Sequence, residues 1–187
     1  MLRWLVFVPS KHPRARLGHY LPDLVYGAND GIITTFAVVS GVVGADLSRT
    51  IILILGFANL FADGISMGAS NYLARRSHAE AEQRASREEA LRHASVTLVA
   101  FVAAGVVPLI AYLLPVPSNG QFVAAIALTA VTLFFVGAAR SLVTGLSAFR
   151  SGLEMLLVGS LAAIAAYLIG ALASAVTDVD RRSAGLP

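Results

Sequence analysis

The stretch IILILGFANLFADGISMGASNYLA, residues 51–74, sets the class of this protein. It is apolar over the roughly 20 residues that a helix needs to cross a bilayer, and Asp63 interrupts it near its centre. A carboxylate at that depth is costly and usually faces a bundle interior, a water-filled cavity or a bound partner. The stretch therefore predicts a membrane helix with a functional polar group.

The composition of the whole chain agrees with a membrane protein. Its 187 residues are 57% hydrophobic and 13% charged, with a mean hydropathy of +0.74. A soluble domain carries about 25% charged residues, so a soluble enzyme, a disordered chain and a nucleic-acid binder are excluded despite a pI near 9.7. The chain has no cysteine, which excludes thiolate metal sites. We expect no enzymatic activity and no permanent cofactor.

The apolar segments predict an all-α integral membrane protein with five transmembrane helices. A cytoplasmic segment over residues 1–20 precedes a transmembrane domain over 21–176, and an external tail over 177–187 follows it. A short charged helix over 77–93 joins spans two and three on the cytoplasmic side. The predicted spans are 24–43, 51–74, 95–114, 121–139 and 153–176.

The distribution of lysine and arginine predicts the orientation. Of the 14 basic residues, eleven lie before span one, between spans two and three, or between spans four and five. The other three lie in the alternate connection or after span five. Because basic residues collect on the cytoplasmic side, the N-terminus is expected inside and the C-terminus outside.

Three acidic residues lie within or at the start of predicted spans: Asp30, Asp63 and Glu154. No lysine or arginine is placed at a similar depth, so an internal salt bridge cannot neutralise all three. They are therefore protonated, solvated or available to a cation. For Glu154, at the start of span five, a boundary acid that reaches the headgroups is the alternative interpretation.

A polar stripe runs along span two, where Asn59, Asp63, Met67 and Asn71 recur at intervals of four residues and so share a helix face. In span one Thr34 stands one turn from Asp30 and can supply another oxygen. Mixed oxygen and thioether ligands fit Fe²⁺ or Mn²⁺ better than Ca²⁺ or Mg²⁺. The alternative is that Met67 only packs and the amides bond across helices.

Glycine pairs accompany these polar residues. Gly27 and Gly31 flank the first acid, and Gly64 and Gly68 flank Met67. Glycines four residues apart let membrane helices approach closely, so we expect spans one and two to pack tightly at the site. The spacing leaves open whether this occurs within one chain or across a dimer.

The charged segment over residues 77–93 contains a second candidate set of ligands. On a helical wheel His78, Glu82, Glu89 and His93 lie within roughly 60° of one another, which predicts cytoplasmic capture of a metal ion. A solvated helix with internal salt bridges explains the same composition.

Four segments together resemble the vacuolar iron transporter family in its short bacterial form. They are DGIITTFAVVSGVVGA, ANLFADGISMGASNYLA, VPLIAYLL and EMLLVGSLAAIAAYLIG, and the resemblance covers about residues 20–176. It implies a dimer of five-helix protomers that moves Fe²⁺, and often Mn²⁺, out of the cytoplasm against protons. It also implies that Asp30 and Met67 line a path at the dimer interface.

Two departures from the family pattern stand out. Eukaryotic members carry a long Glu-rich cytoplasmic domain between spans two and three, whereas this chain has only residues 77–93 there. Those members also have an acid about two turns before the methionine, where this chain has Asn59, with Asp63 one turn before it instead.

The sequence thus predicts a proton-coupled exporter of Fe²⁺, with Mn²⁺ as a further substrate. Its partners are divalent metal ions, protons, membrane lipid and a second copy of the chain, and no nucleic acid. The expected location is a bacterial cytoplasmic membrane. The alternatives are a non-transporting scaffold or sensor, and a carrier of another solute, for which a wider polar pocket and a cationic residue would be expected.

Overall fold

The computed structural model describes residues 13–81 and 87–183, and helices make up nearly all of them. The all-α class is therefore confirmed for the described residues. In chain order the elements are α1 (Pro13–Gly44), α2 (Arg49–Ala81), α3 (Arg87–Gly105), α4 (Val107–Leu113), α5 (Ser118–Thr144) and α6 (Ala148–Ser183).

Helices α3 and α4 together form one crossing, Arg87–Leu113. The break between them falls at Val106, two residues before Pro108. Proline has no N–H to donate and its ring crowds the preceding turn, so the helix restarts there instead of continuing. Residues 95–114, predicted as a single span, therefore contain a break.

Within the described residues, four helical segments are long and apolar enough to cross a membrane: α2, α3 with α4, α5, and α6. Their outward faces carry large apolar side chains that are mostly exposed in the single chain, including Phe135, Leu161 and Ile169. Such faces suit contact with lipid tails. The chain is a multi-pass membrane protein.

Helix α1 is the centre of the bundle, and it packs against α3, α6, α5, α2 and α4. No residue from Gly27 to Ala45 is exposed. A helix enclosed by other helices needs no apolar face for lipid, and this explains why α1 can carry Asn29, Asp30 and Thr34 although it is not one of the four segments above.

The glycine pairs of spans one and two pack against α3, not against each other. A Cβ on Gly27 would lie 2.5 Å from the Thr97 carbonyl oxygen, and one on Gly31 would collide with the Phe101 backbone. On α2, Gly64 and Gly68 also face α3 side chains. Spans one and two do pack against each other, but within the chain these glycines contact α3, because such a motif permits close approach without specifying the partner helix.

The charged segment is divided between two helices. Residues 77–81 continue α2, and residues 87–93 begin α3. Between them, residues 82–86 lie outside the described part of the chain, as do 1–12 and 184–187 of the predicted terminal segments. The predicted helix over 77–93 is thus described only at its two ends.

Candidate functional site

The structure brings the carboxylates of Asp30 on α1 and Asp63 on α2 within range of mutual electrostatic repulsion. Both residues are half-buried. Among the described residues, no side chain donates a hydrogen bond to the Asp30 carboxylate and no cationic group pairs with either acid. Two acids on packed helices with no cationic partner among the described residues form a candidate cation site.

Two of the predicted polar residues make hydrogen bonds one turn from the acids. The side-chain amide of Asn59 donates to Asp63 Oδ2 at 2.9 Å, one turn along α2. The Thr34 hydroxyl donates to the Asp30 backbone carbonyl at 2.8 Å. Because its proton is used there, the Thr34 oxygen keeps lone pairs free to accept from, or ligate, another group.

Met67 is half-buried and packs against the main hydrophobic core, which includes Leu60 and Phe101. Met67 therefore does pack in the core, as the alternative interpretation of the sequence expected. A thioether stays an available ligand only on the side that the core does not cover.

Asn71 belongs to a second polar cluster instead of joining the two acids. Its amide nitrogen donates to Asp23 Oδ1 at 2.9 Å and to Thr97 Oγ1 at 2.6 Å. The stripe on α2 therefore divides, with its first residues beside Asp63 and its last residue bound to the first and third helices. This separation agrees with the alternative that some of the amides bond across helices.

Asp23 is the centre of this second cluster and is 5% exposed. Arg75 Nη2 donates to its two carboxylate oxygens at 2.9 and 3.1 Å, and His93 Nδ1 lies 2.5 Å from Oδ2. Burial alone would raise the pKa of the Asp23 carboxyl, but the hydrogen bonds from His93, Asn71 and Arg75 together hold that pKa below its ordinary value. Asp23 is thus an ionised carboxylate with its counter-charge in place.

The cluster extends to the end of the bundle. His93 Nε2 lies 3.0 Å from His19 Nε2, and His19 Nε2 lies 3.1 Å from Glu89 Oε1. The Tyr20 ring packs against His93, with ring centroids 4.7 Å apart. His93 is 1% exposed, so it is a core histidine and not part of a solvated helix.

Sequence reasoning missed Asp23, His19 and Arg75. The signal was present in the helical spacing, because Asp23 lies seven residues before Asp30 and Arg75 lies four residues after Asn71. Both positions continue a helix face that already carries candidate residues. They lie just outside the predicted spans, however, and the sequence argument considered only acids within or at the start of a span.

Glu154 lies apart from the other candidate ligands. Its carboxylate oxygens are 3.7 Å from Arg140 Nη1 and 3.7 Å from Arg150 Nε. In the described residues, no hydrogen bond or ion pair joins it to Asp30 or Asp63. Its contacts with two arginines fit the alternative of a boundary acid.

Of the predicted capture set, Glu89 and His93 share the second cluster with His19. His78 is exposed near the end of α2 and is not part of that group, and Glu82 lies outside the described residues. The prediction placed all four residues on one continuous helix, whereas Glu89 and His93 lie on α3 and His78 lies on α2.

Comparison with known proteins identifies the family. The VIT family model matches residues 21–93 and 82–171, most of the chain. The chain belongs to the VIT family. The two matched stretches overlap over residues 82–93.

Curated relatives of this VIT family chain include vacuolar iron transporter 1 of Eucalyptus grandis, 26% identical over 80% of this chain and 85% of the relative. Vacuolar iron transporter 1 of Arabidopsis thaliana is 25% identical over 81% and 85%. The vacuolar iron transporter of Plasmodium falciparum is 54% identical over a shorter region, 28% of this chain and 19% of the relative. The family is one of transporters and not of enzymes.

Proposed function

We propose that this chain exports a divalent transition metal, Fe²⁺ and also Mn²⁺, from the cytoplasm in exchange for protons. The observation that carries the proposal is the pair of half-buried acids, Asp30 and Asp63, on two helices that pack together: the charge of Asp63 acts on the Asp30 carboxyl, and neither acid has a cationic partner among the described residues. The relatives named as iron transporters support the choice of metal.

The chemistry of the pair suits an exchange of metal for protons. A buried carboxylate is stable when it is protonated or when it binds a cation. Two carboxylates bind one divalent cation or two protons with the same total charge, so one occupant replaces the other without leaving an uncompensated charge. Metal binding then releases protons from its ligands, which couples the two fluxes.

The proposed ligands come from the residues around the pair. Asp30 and Asp63 supply the charge, Thr34 and Asn59 supply further oxygens, and Met67 supplies a thioether. Such a mixed set favours Fe²⁺ or Mn²⁺ over Ca²⁺ or Mg²⁺, which prefer oxygen alone.

The remaining two candidates, Asn71 and Glu154, are not metal ligands in this proposal and have structural roles. Asn71 fixes α2 to α1 at the end of the path through its hydrogen bond to Asp23. Glu154 balances Arg140 and Arg150 near the start of α6.

The proposal places the protein in a bacterial cytoplasmic membrane with five spans. Helix α1 is the fifth, because its enclosure by the other helices offsets its polar residues. The excess of arginine in alternate connections puts the N-terminus in the cytoplasm, so metal enters at the end that carries the second polar cluster.

A homodimer completes the proposed path. Alongside the half-buried Asp63, helix α2 exposes Phe61 and Ile65, which are 54% and 62% exposed, together with Ser66 and Ser70. Apolar and small residues on one face allow a second membrane helix to approach closely. A second copy placed there would shield the acids from lipid.

The test is Fe²⁺ uptake into proteoliposomes that contain an internal pH dye, comparing the wild type with Asp30→Ala and Asp63→Ala. Opposing metal and proton movements that are lost in both variants are expected. Glu80→Gln is the matched control, because Glu80 is an exposed acid on the same helix as Asp63, paired with Arg76, and should leave both fluxes unchanged.

Unchanged flux in both acid variants would remove the site from the path. If a folded, inserted wild type moved none of Fe²⁺, Mn²⁺, Co²⁺ or Zn²⁺, and Asp63→Ala weakened the dimer, the chain would be a scaffold or sensor whose polar residues join helices.

A further inference from the structure

We propose that His19, Glu89 and His93 form a second binding site for a divalent transition-metal ion, and that Asp23 holds the His93 ring in the ligating orientation. The site lies at the end of the bundle, about three turns along α1 from Asp30, or roughly 16 Å. It is separate from the acid pair and does not depend on the chain being a transporter.

The hydrogen-bonding pattern leaves electron pairs converging on one point. His93 Nδ1 lies 2.5 Å from Asp23 Oδ2, and a carboxylate accepts a proton donor there. In a neutral His93 the proton is therefore on Nδ1, and Nε2 carries a lone pair. That lone pair is directed at His19 Nε2, 3.0 Å away.

His19 cannot satisfy both of its neighbours with a proton. Its Nε2 contacts His93 Nε2 at 3.0 Å and Glu89 Oε1 at 3.1 Å, and one N–H is directed to only one of two acceptors. A cation at the centre would serve all three atoms at once. This is the physical reason to assign the position to a metal ion and not to a proton alone.

The distances fit a coordination shell. Two ligand atoms about 2.1 Å from a metal and at right angles to each other are about 3.0 Å apart, close to both contacts of His19 Nε2. All three ligand atoms lie within 4.8 Å of one another. A small movement of the exposed Glu89 would close the third edge.

The ligand types select the class of metal. Two imidazoles and one carboxylate are the set used by non-haem Fe²⁺ sites with open positions, and by zinc sites with two histidines and a glutamate. Ca²⁺ and Mg²⁺ prefer all-oxygen shells. A ligating histidine also normally donates its other ring N–H to a carboxylate, which fixes the tautomer, and His93 has such a partner in Asp23.

The test is Co²⁺ binding to the purified full-length chain in detergent, followed by visible absorption. All variants are made in a parent protein that carries Asp30→Asn and Asp63→Asn, so that metal bound by this acid pair does not contribute to the signal. His19→Ala and Glu89→Gln change half-exposed side chains and spare the buried His93. Each is expected to weaken Co²⁺ binding about tenfold or more and to change the spectrum.

His78→Ala is the control, since it removes an exposed histidine near the same end of the bundle. It should leave the affinity and the spectrum unchanged. In the wild-type background, the loss of the site should appear as one fewer Co²⁺ bound per chain in His19→Ala.

Asp23→Asn tests the positioning role. The variant keeps the shape of the side chain but no longer fixes the proton on His93 Nδ1, so affinity should fall about 10–100-fold with an altered spectrum, and Asp23→Glu should recover part of it. Equal affinity and identical spectra in the parent, His19→Ala and Glu89→Gln would overturn the site. Loss in His78→Ala with retention in His19→Ala would do the same.

Discussion

Asp23 and Asp30 lie seven residues apart on one face of α1, yet their surroundings are opposite. Asp23 accepts hydrogen bonds from Asn71 and Arg75 and lies against His93. Asp30 has no side-chain donor among the described residues and lies within the electrostatic influence of a second acid, Asp63. Two carboxylates on the same helix thus have different roles: Asp23 holds helices together, and Asp30 is available to a cation.

The comparison predicts its largest effect for Asp23→Ala. Removing this carboxylate takes away the buried acceptor and counter-charge shared by Arg75, Asn71 and His93, so the free energy of unfolding should fall by about 2–4 kcal/mol. Thermal unfolding in detergent would measure it. Glu80→Ala, which breaks only an exposed pair with Arg76, should cause no measurable loss. Equal melting temperatures for the two variants would contradict the role of Asp23 in holding the helices together.

A smaller loss is expected for Gly31→Ala, next to Asp30. The new Cβ would collide with the backbone of Phe101 on α3, and overpacking of this kind costs about 1–3 kcal/mol. The measurement is again thermal unfolding, with Gly18→Ala as the matched control because nothing lies within 4 Å of a Cβ there. A stable Gly31→Ala variant would show that the α1–α3 contact is looser than described.

For stability, Asp30→Asn should act in the opposite direction to Asp23→Ala. The change removes one of two repelling charges and breaks no side-chain hydrogen bond, so the melting temperature should stay the same or rise. Metal flux should nevertheless be lost. A marked fall in melting temperature would mean that the Asp30 carboxylate is a structural group after all.

The smallest effect is expected for Thr34→Val. The side chain keeps its shape but loses an oxygen, while the backbone carbonyl that it contacted keeps its helical partner. Stability should change by less than about 1 kcal/mol, and transport should weaken by less than about tenfold, measured as initial Fe²⁺ uptake. Thr34→Ser retains the oxygen and should transport like the wild type; equal uptake in both would remove Thr34 from the ligands.

Much of the fold could be predicted, because hydropathy and helix length determine where a chain can cross a membrane. The hydrogen bond of Asn59 to Asp63 also follows from their spacing of four residues along α2. The partner of the glycine pairs could not be predicted. Their spacing indicates close packing but does not identify α3 as the helix that both pairs contact.

The second cluster shows a different limit of the sequence. Asp23, His19 and His93 are separated by up to 74 residues, and each precedes a predicted span, where a charged or polar residue is ordinary. Only the packing of α1 against α3 brings them together. A side chain that looks solvated in the sequence can therefore be fully buried.

The enclosure of α1 has a consequence for how the chain is made. A helix with Asn29, Asp30 and Thr34 near its middle gains little from lipid alone, and its stability in the bilayer depends on contacts with α3 and α6. These helices are synthesised after it. We therefore expect stable transmembrane insertion of α1 only after the later helices have been synthesised. In a nascent chain that ends before α3, α1 should not be stably inserted.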